Sequence, residues 1–251
     1  MRATHLIALV VAVLVAVTYF ALQSSGWILV AVTDAMFVLG SGACSILAFS
    51  AGSRWGFRGK IGIVHSGIFL GVFSWFVSDV AYLIYEVVLR ITVSFPSLPQ
   101  ALFLVSYVAI ALGLLQFLWV FRGGLRRIWV LGAVGIGALM FCLGCVLLVG
   151  PLVASGVDVF VKAFYVAYPI LDLVLFVFAL LMVFAFSGGK VTKPWVWISL
   201  GLFLRVLSDI SLGVGQLQGW YYSGHPIEII QLCAYIGFAL GLDEERRAFL
   251  A

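Results

Sequence analysis

Six ionisable side chains lie inside long apolar runs of this chain: Asp34, Asp79, Glu86, Asp172, Arg205 and Asp209. At the centre of a membrane-spanning helix each costs at least ~2.5–3.5 kcal/mol unless it is paired or faces water, so their presence demands partners. Asp79, Tyr82 and Glu86 follow one another at spacings of three and four, which puts them on one helix face. Arg205 and Asp209 stand one helical turn apart and can pair within their own segment. Tyr107, Tyr165, Tyr168 and Tyr235 offer hydroxyls and ring faces nearby in the pattern, and His225 and Glu228 stand at the start of the last apolar run. Two chemistries fit such a set. One is a buried polar network whose charges satisfy each other. The other is a pocket in which Arg205 serves an anionic ligand or acts as counter-charge, while the acids take protons or cations.

Other chemistries lack their residues. His5, His65 and His225 are scattered, with no metal or haem spacing, so neither a metal nor a cofactor is expected. His65 reads as a satisfied core or interface residue. Cys142 and Cys145 form a C-x-x-C inside an apolar run without a second pair, and with Cys44 and Cys233 they read as packing residues, so no disulfide is expected. There is no phosphate loop, no G-x-S-x-G and no dinucleotide fingerprint. Lys162 and Lys190 lie near segment ends, where a lysine snorkels.

The elements that position these groups follow from composition. The chain has 251 residues, 65% hydrophobic and 10% charged, with a mean hydropathy of +1.24. A water-soluble domain carries roughly 45–50% apolar residues, so this is an all-α integral membrane chain, with membrane lipid as its first partner. The excess of 14 basic over 10 acidic residues is loop charge rather than a sign of nucleic acid. Eight apolar segments, near 5–22, 27–51, 61–90, 98–121, 127–150, 158–187, 194–217 and 225–242, are each long enough to cross a core of roughly 30 Å. Arg2 ahead of the first run suggests a signal peptide, but the run is too long and lacks a small-x-small site, so it reads as a retained helix.

Arg2, Arg54, Arg58, Lys60, Arg122, Arg126, Arg127, Lys190, Lys193, Arg246 and Arg247 fall on one side of the membrane, and only Arg90 and Lys162 on the other. The positive-inside rule then places both termini in the cytoplasm and the polar cluster between mid-membrane and the outer interface of a cell membrane.

Gly71-Val-Phe-Ser-Trp-Phe-Val-Ser-Asp79 has a second copy in Gly201-Leu-Phe-Leu-Arg-Val-Leu-Ser-Asp209, 130 residues later. Ala48-Phe-Ser-Ala-Gly52 matches Ala185-Phe-Ser-Gly-Gly189, and Asp34 falls opposite Asp172. The expectation is two parallel four-helix repeats, about 1–126 and 127–242, related by a pseudo-two-fold along the membrane normal, with a short cytoplasmic tail 243–251. Arg205 aligns with Trp75, so the copies differ there. In the outer loops, Ser97-Leu-Pro-Gln100 predicts a capping box, and His225-Pro-Ile-Glu228 a helix start with Pro226 at its first position. Trp27, Trp220, Tyr221 and Tyr222 read as interfacial aromatics.

The order Ser78-Asp79, Pro96-Ser97, Tyr107, Ala167-Tyr-Pro-Ile-Leu-Asp172, Ser208-Asp209, Tyr222-x-Gly224 and Tyr235 resembles the multi-helix membrane-sensor region found N-terminal to diguanylate cyclases and some histidine kinases. The resemblance covers roughly residues 27–242. It implies a region that perceives a membrane or external stimulus and passes it to a cytoplasmic output domain. Only Asp-Glu-Glu-Arg-Arg-Ala-Phe-Leu-Ala follows Leu242, so the expectation is a stand-alone sensor that signals through a separate cytoplasmic or membrane partner, with Asp243–Arg247 as a docking point. A homo-oligomer is open. Two alternatives stand beside it. A small transporter or channel would use the outer-half charges. A membrane lipid hydrolase would use Asp79 and Asp209 as acid–base pair; lysoplasmalogenases, which these aspartate pairs resemble, place aspartates similarly on two helices. In the sensor and transporter readings no residue is catalytic.

Overall fold

The computed structural model describes residues 3–93, 97–156, 158–189 and 191–248. Arg2 and Lys190, used for orientation, Pro96, part of the resemblance, and the last three residues of the tail lie outside them. The described residues form eight long helices and no strand: α1 (Ala3–Ala21), α2 (Trp27–Trp55), α3 (Gly59–Val88), α4 (Leu98–Phe121), α5 (Arg127–Ala154), α6 (Val159–Ala185), α7 (Thr192–Gln218) and α8 (Glu228–Ala248). The first seven are long and apolar enough to cross a membrane. Helices suit such runs because every backbone N–H finds its acceptor within the segment, which a bilayer core requires. The eighth has the length, but Glu228 and the run Asp243–Arg247 make it too charged to qualify on composition.

Several ends differ from the sequence expectation. α3 closes in a π turn, Ile84–Val88, where Leu89 N–H reaches back five residues to the Ile84 carbonyl. α5 carries a second π turn at Cys145–Val149. The Ser97–Gln100 capping box does not form: the Ser97 hydroxyl makes no hydrogen bond, because Gln100 turns inward and its Nε2 donates to the Tyr82 hydroxyl at 2.8 Å. α8 begins at Glu228, two residues after Pro226, which sits in the preceding turn. The expected tail is not a free tail. α8 runs on to Ala248, and Asp243, Glu244 and Glu245 are buried. Their partners explain this: His65 Nε2 lies 3.4 Å from Glu245, His5 Nε2 lies 3.7 Å from Glu244, and Arg246 and Arg247 reach Asp243 at 2.7 and 2.9 Å. The acidic end of α8 therefore ties α1 and α3 together, while Arg247 remains exposed.

Packing places α3 against α4 and α7 against α8, with α2 and α6 lying on α3 and α7. Across the bundle α2 touches α8 and α6 touches α4. The tight contacts use glycine. A Cβ on Gly71 would stand 2.8 Å from the Ser106 carbonyl oxygen, and one on Gly201 would stand 2.9 Å from that of Ala234. A side chain at either position would push the paired helices apart. α1 lies on α8 and α5 on α6, burying little more than Val15 and Tyr19 in α1 and Ala133, Gly137, Leu148 and Leu152 in α5. Their remaining apolar faces, Leu131 and Leu139 for example, are exposed and suit lipid.

Candidate functional site

Arg205, near the middle of α7, is 4% exposed. Its Nε lies 3.7 Å from Asp209 Oδ1, one turn on, and 4.0 Å from Asp172 Oδ1 on α6. Its guanidinium carbon sits 5.4 Å above the Trp75 ring and 5.2 Å from that of Phe103. Two carboxylates and two ring faces thus surround one cation, which is how a buried guanidinium is tolerated. The pairing expected within α7 is present, and Asp172 joins it from another helix.

Two tyrosines connect the sides of the bundle. Tyr235 of α8 donates to Asp79 Oδ2 on α3 at 2.9 Å, and Tyr107 of α4 donates to Asp209 Oδ2 on α7 at 3.4 Å. One turn inward of Asp79, the Trp75 indole meets Tyr107 edge-on at 6.5 Å between centroids, Tyr235 at 5.9 Å and Phe238 edge-on at 5.2 Å. These rings are buried. Beside them, lined by Asp79 and Arg205 and not by the rings themselves, a cavity of about 160 Å³ opens at the end of the bundle that holds the 219–227 loop. Cavities of about that size hold a benzene-sized guest.

Six helices converge on this space. Seven of the nine residues expected to form the polar cluster line it: Asp34, Asp79, Glu86, Tyr168, Arg205, Asp209 and Glu228. Asp79, Tyr82 and Glu86 all face it, as their spacing required, with Glu86 carried on the π turn. Asp172 stands behind Arg205, fully buried, and does not line the wall. His225 is the exception to the expected cluster. It stacks among Trp220, Tyr221 and Tyr222, and its Nδ1 accepts from Ile227 N–H at 3.1 Å, because the turn before α8 folds it onto the loop's own aromatics.

The carboxylates on the wall are satisfied unequally. Glu228 accepts from the Tyr19 hydroxyl at 2.8 Å, the Tyr221 hydroxyl at 2.7 Å and Gly224 N–H at 3.1 Å, so it anchors α1 and the 219–227 loop. Burial, then the adjoining Glu228 carboxylate, holds the Tyr221 phenol well above its ordinary range, so it remains a donor. Glu86 accepts from the Ser223 hydroxyl at 3.0 Å. Asp34, 8% exposed, keeps Oδ2 buried and without a hydrogen-bond partner.

Sequence reasoning missed several wall residues. Gln100 was read as a cap and Tyr221 as an interfacial aromatic, yet both serve the cavity. Phe37, one turn after Asp34, and Phe103 carried no signal beyond helical spacing. Pro169 lines the cavity and also a second, almost wholly apolar one of about 140 Å³ between α5, α6 and α7. Asp79 and Asp209, the pair a hydrolase would use, line the first cavity, each accepting a tyrosine hydroxyl. Among the described residues no group of three or more His, Cys, Asp and Glu is arranged to hold a metal ion. Compared with known proteins, the chain matches no family model, no curated protein and no solved structure.

Proposed function

We propose that this chain is a receptor-like membrane sensor whose outer cavity binds a small molecule and whose helices pass the bound state to a protein partner at the inner face. The observation that carries the reading is a cavity at one end of the bundle on which polar side chains from six helices converge, with the Trp75, Tyr107, Tyr235 and Phe238 rings packed against one another one turn from its wall residue Asp79. A site built from many helices at one end of a bundle, beside closely packed rings, suits perception better than passage. The positive-inside rule puts the cavity outside, with both termini cytoplasmic. At the inner end, His65–Glu245 and His5–Glu244 couple α8 to the other helices, giving a displacement of α8 a route to the surface.

The reading includes two parallel four-helix halves related by an axis along the membrane normal. The reciprocal contacts Tyr235–Asp79 and Tyr107–Asp209 support it, as do the matched approaches at Gly71 and Gly201 and the stacking of the aligned residues Arg205 and Trp75. α1 and α5 break the relation, since one packs on α8 and the other on α6.

The test uses the full chain in proteoliposomes, with its four cysteines replaced by Ala and Ser223→Cys introduced at the cavity wall. An impermeant thiol reagent added outside should label position 223, and a labelled cavity should alter hydrogen–deuterium exchange in the Arg54–Lys60 and Arg122–Arg127 loops without opening an ion leak. Unchanged exchange at the inner loops would refute the sensor. A leak or flux that labelling blocks would favour the transporter.

A further inference from the structure

We infer that the ligand of this cavity is a small organic cation, an amine with an apolar or aromatic body, whose ammonium group docks on Asp34. The inference rests on the cavity being a ligand site, as proposed above, and adds the chemistry of its occupant.

Charge and shape are the first support. The wall carries five carboxyl groups, Asp34, Asp79, Glu86, Asp209 and Glu228, against the single guanidinium of Arg205. That guanidinium has Asp209 and Asp172 beside it and the Trp75 and Phe103 rings on its faces, so its charge is countered within the bundle, although its Nε and Nη1 make no hydrogen bond. Aromatic rings also line the wall, Phe37, Tyr82, Phe103, Tyr165 and Tyr168 among them, beside amide and aliphatic side chains such as Gln100 and Leu212. Aromatic faces attract cations through their quadrupole and pack an apolar body equally well.

The second support is independent of the charge count. Asp172 and Asp34 are both buried inside helices of the bundle, yet they are served differently. Neither Asp172 oxygen accepts a hydrogen bond, but Asp172 has Arg205 at 4.0 Å and stands off the cavity wall, whereas Asp34 lines the cavity with Oδ2 buried and no hydrogen-bond partner. A buried carboxylate oxygen without a donor is costly, and a guest that brings N–H donors and a positive charge removes that cost. Glu228 does not compete for this role, since it already accepts three hydrogen bonds. Phe37, on the same face of α2 as Asp34, supplies a ring beside the docking point. The cavity size suits a body about as large as one benzene ring.

Binding of four probes to the full chain in lipid nanodiscs, by calorimetry and thermal shift, tests this. Benzylamine should bind saturably and raise the melting temperature; benzyl alcohol, benzoate and phenylglycine, which are neutral, anionic and zwitterionic, should bind at least tenfold more weakly. Asp34→Asn should weaken benzylamine about tenfold and leave benzyl alcohol unchanged. If Asp34→Asn does not yield a monodisperse protein, Phe37→Leu, which keeps the volume but removes the ring face, should weaken benzylamine several-fold. Benzoate or phenylglycine binding as tightly as benzylamine would overturn the inference in favour of an Arg205-centred site. Equal affinity for benzyl alcohol would reduce it to apolar filling, and an unaffected Asp34→Asn would remove Asp34 from it. Failure here, with position-223 labelling still altering the inner loops, leaves the sensor standing; amine binding with silent inner loops does the reverse.

Discussion

The two tyrosine–aspartate contacts of the bundle differ by one neighbour. Asp79 has Trp75 one turn before it and holds the Tyr235 hydroxyl at 2.9 Å. Asp209 has Arg205 one turn before it and holds Tyr107 only at 3.4 Å. An indole cannot pair with a carboxylate's charge, so Asp79 relies on its phenol. A guanidinium draws Asp209 to itself and needs a second acid, which α6 supplies as Asp172. The difference extends to the outer helices: Asp172 has Arg205 beside it, and Asp34 has no cation paired with it among the described residues. One side of the cavity is electrostatically closed by the chain itself, and the other is open to whatever enters.

The sharpest way to break this comparison is Arg205→Leu. It leaves Asp172 and Asp209 without their cation and should destabilise the protein by ~3–5 kcal/mol, read from denaturation in nanodiscs. Sequence alone, seeing only the Arg205–Asp209 pair, would expect Arg205→Leu with Asp209→Asn to restore stability. The observed triad predicts otherwise: the double variant stays destabilised, and Asp172→Asn must be added for recovery. A fully stable double variant would show that Asp172 plays no part.

Smaller effects test the helix approaches. Ala at Gly71 or at Gly201 should each cost roughly 1–3 kcal/mol by overpacking, and the two costs should agree to within about 1 kcal/mol, since the carbonyls they meet are nearly equidistant. A neutral variant at only one of them would break the likeness of the sides. The smallest effect belongs to one of the phenols. Tyr235→Phe should cost about 1.5–3 kcal/mol, as a hydrogen bond to a carboxylate does. Tyr107→Phe should cost less, because its bond is longer and Arg205 holds Asp209 regardless. Equal losses would mean that the guanidinium does not compete for Asp209.

Much of this was legible in the chain. Apolar length marked all eight helices. The spacing of Asp79, Tyr82 and Glu86 put them on one face, and the cavity wall keeps them together. The one-turn spacing of Arg205 and Asp209 gave their pairing. What failed did so for local reasons. Ser97 and Gln100 have capping spacing, but Tyr82 from another helix outbids the backbone for Gln100. His225 and Glu228 are neighbours in sequence, yet the turn between them sends one to the loop's rings and the other into the cavity. The run Asp243–Arg247 has the composition of a solvated tail, but its acids Asp243, Glu244 and Glu245 are buried, with His5 and His65 reaching Glu244 and Glu245 from two other helices.

Helix length, the polar positions and the contacts between residues three or four apart were therefore determined by the sequence itself, because an apolar run in a bilayer has one way to satisfy its backbone and a helix has one period. Which helix meets which was not. Trp75 beneath Arg205, Tyr235 on Asp79, Tyr107 on Asp209 and the unanswered carboxylate of Asp34 all join residues from different helices, and in one apolar helix nothing records the azimuth of another. Tertiary packing decided them, since a buried charge is stable only where the whole bundle brings its partner within reach.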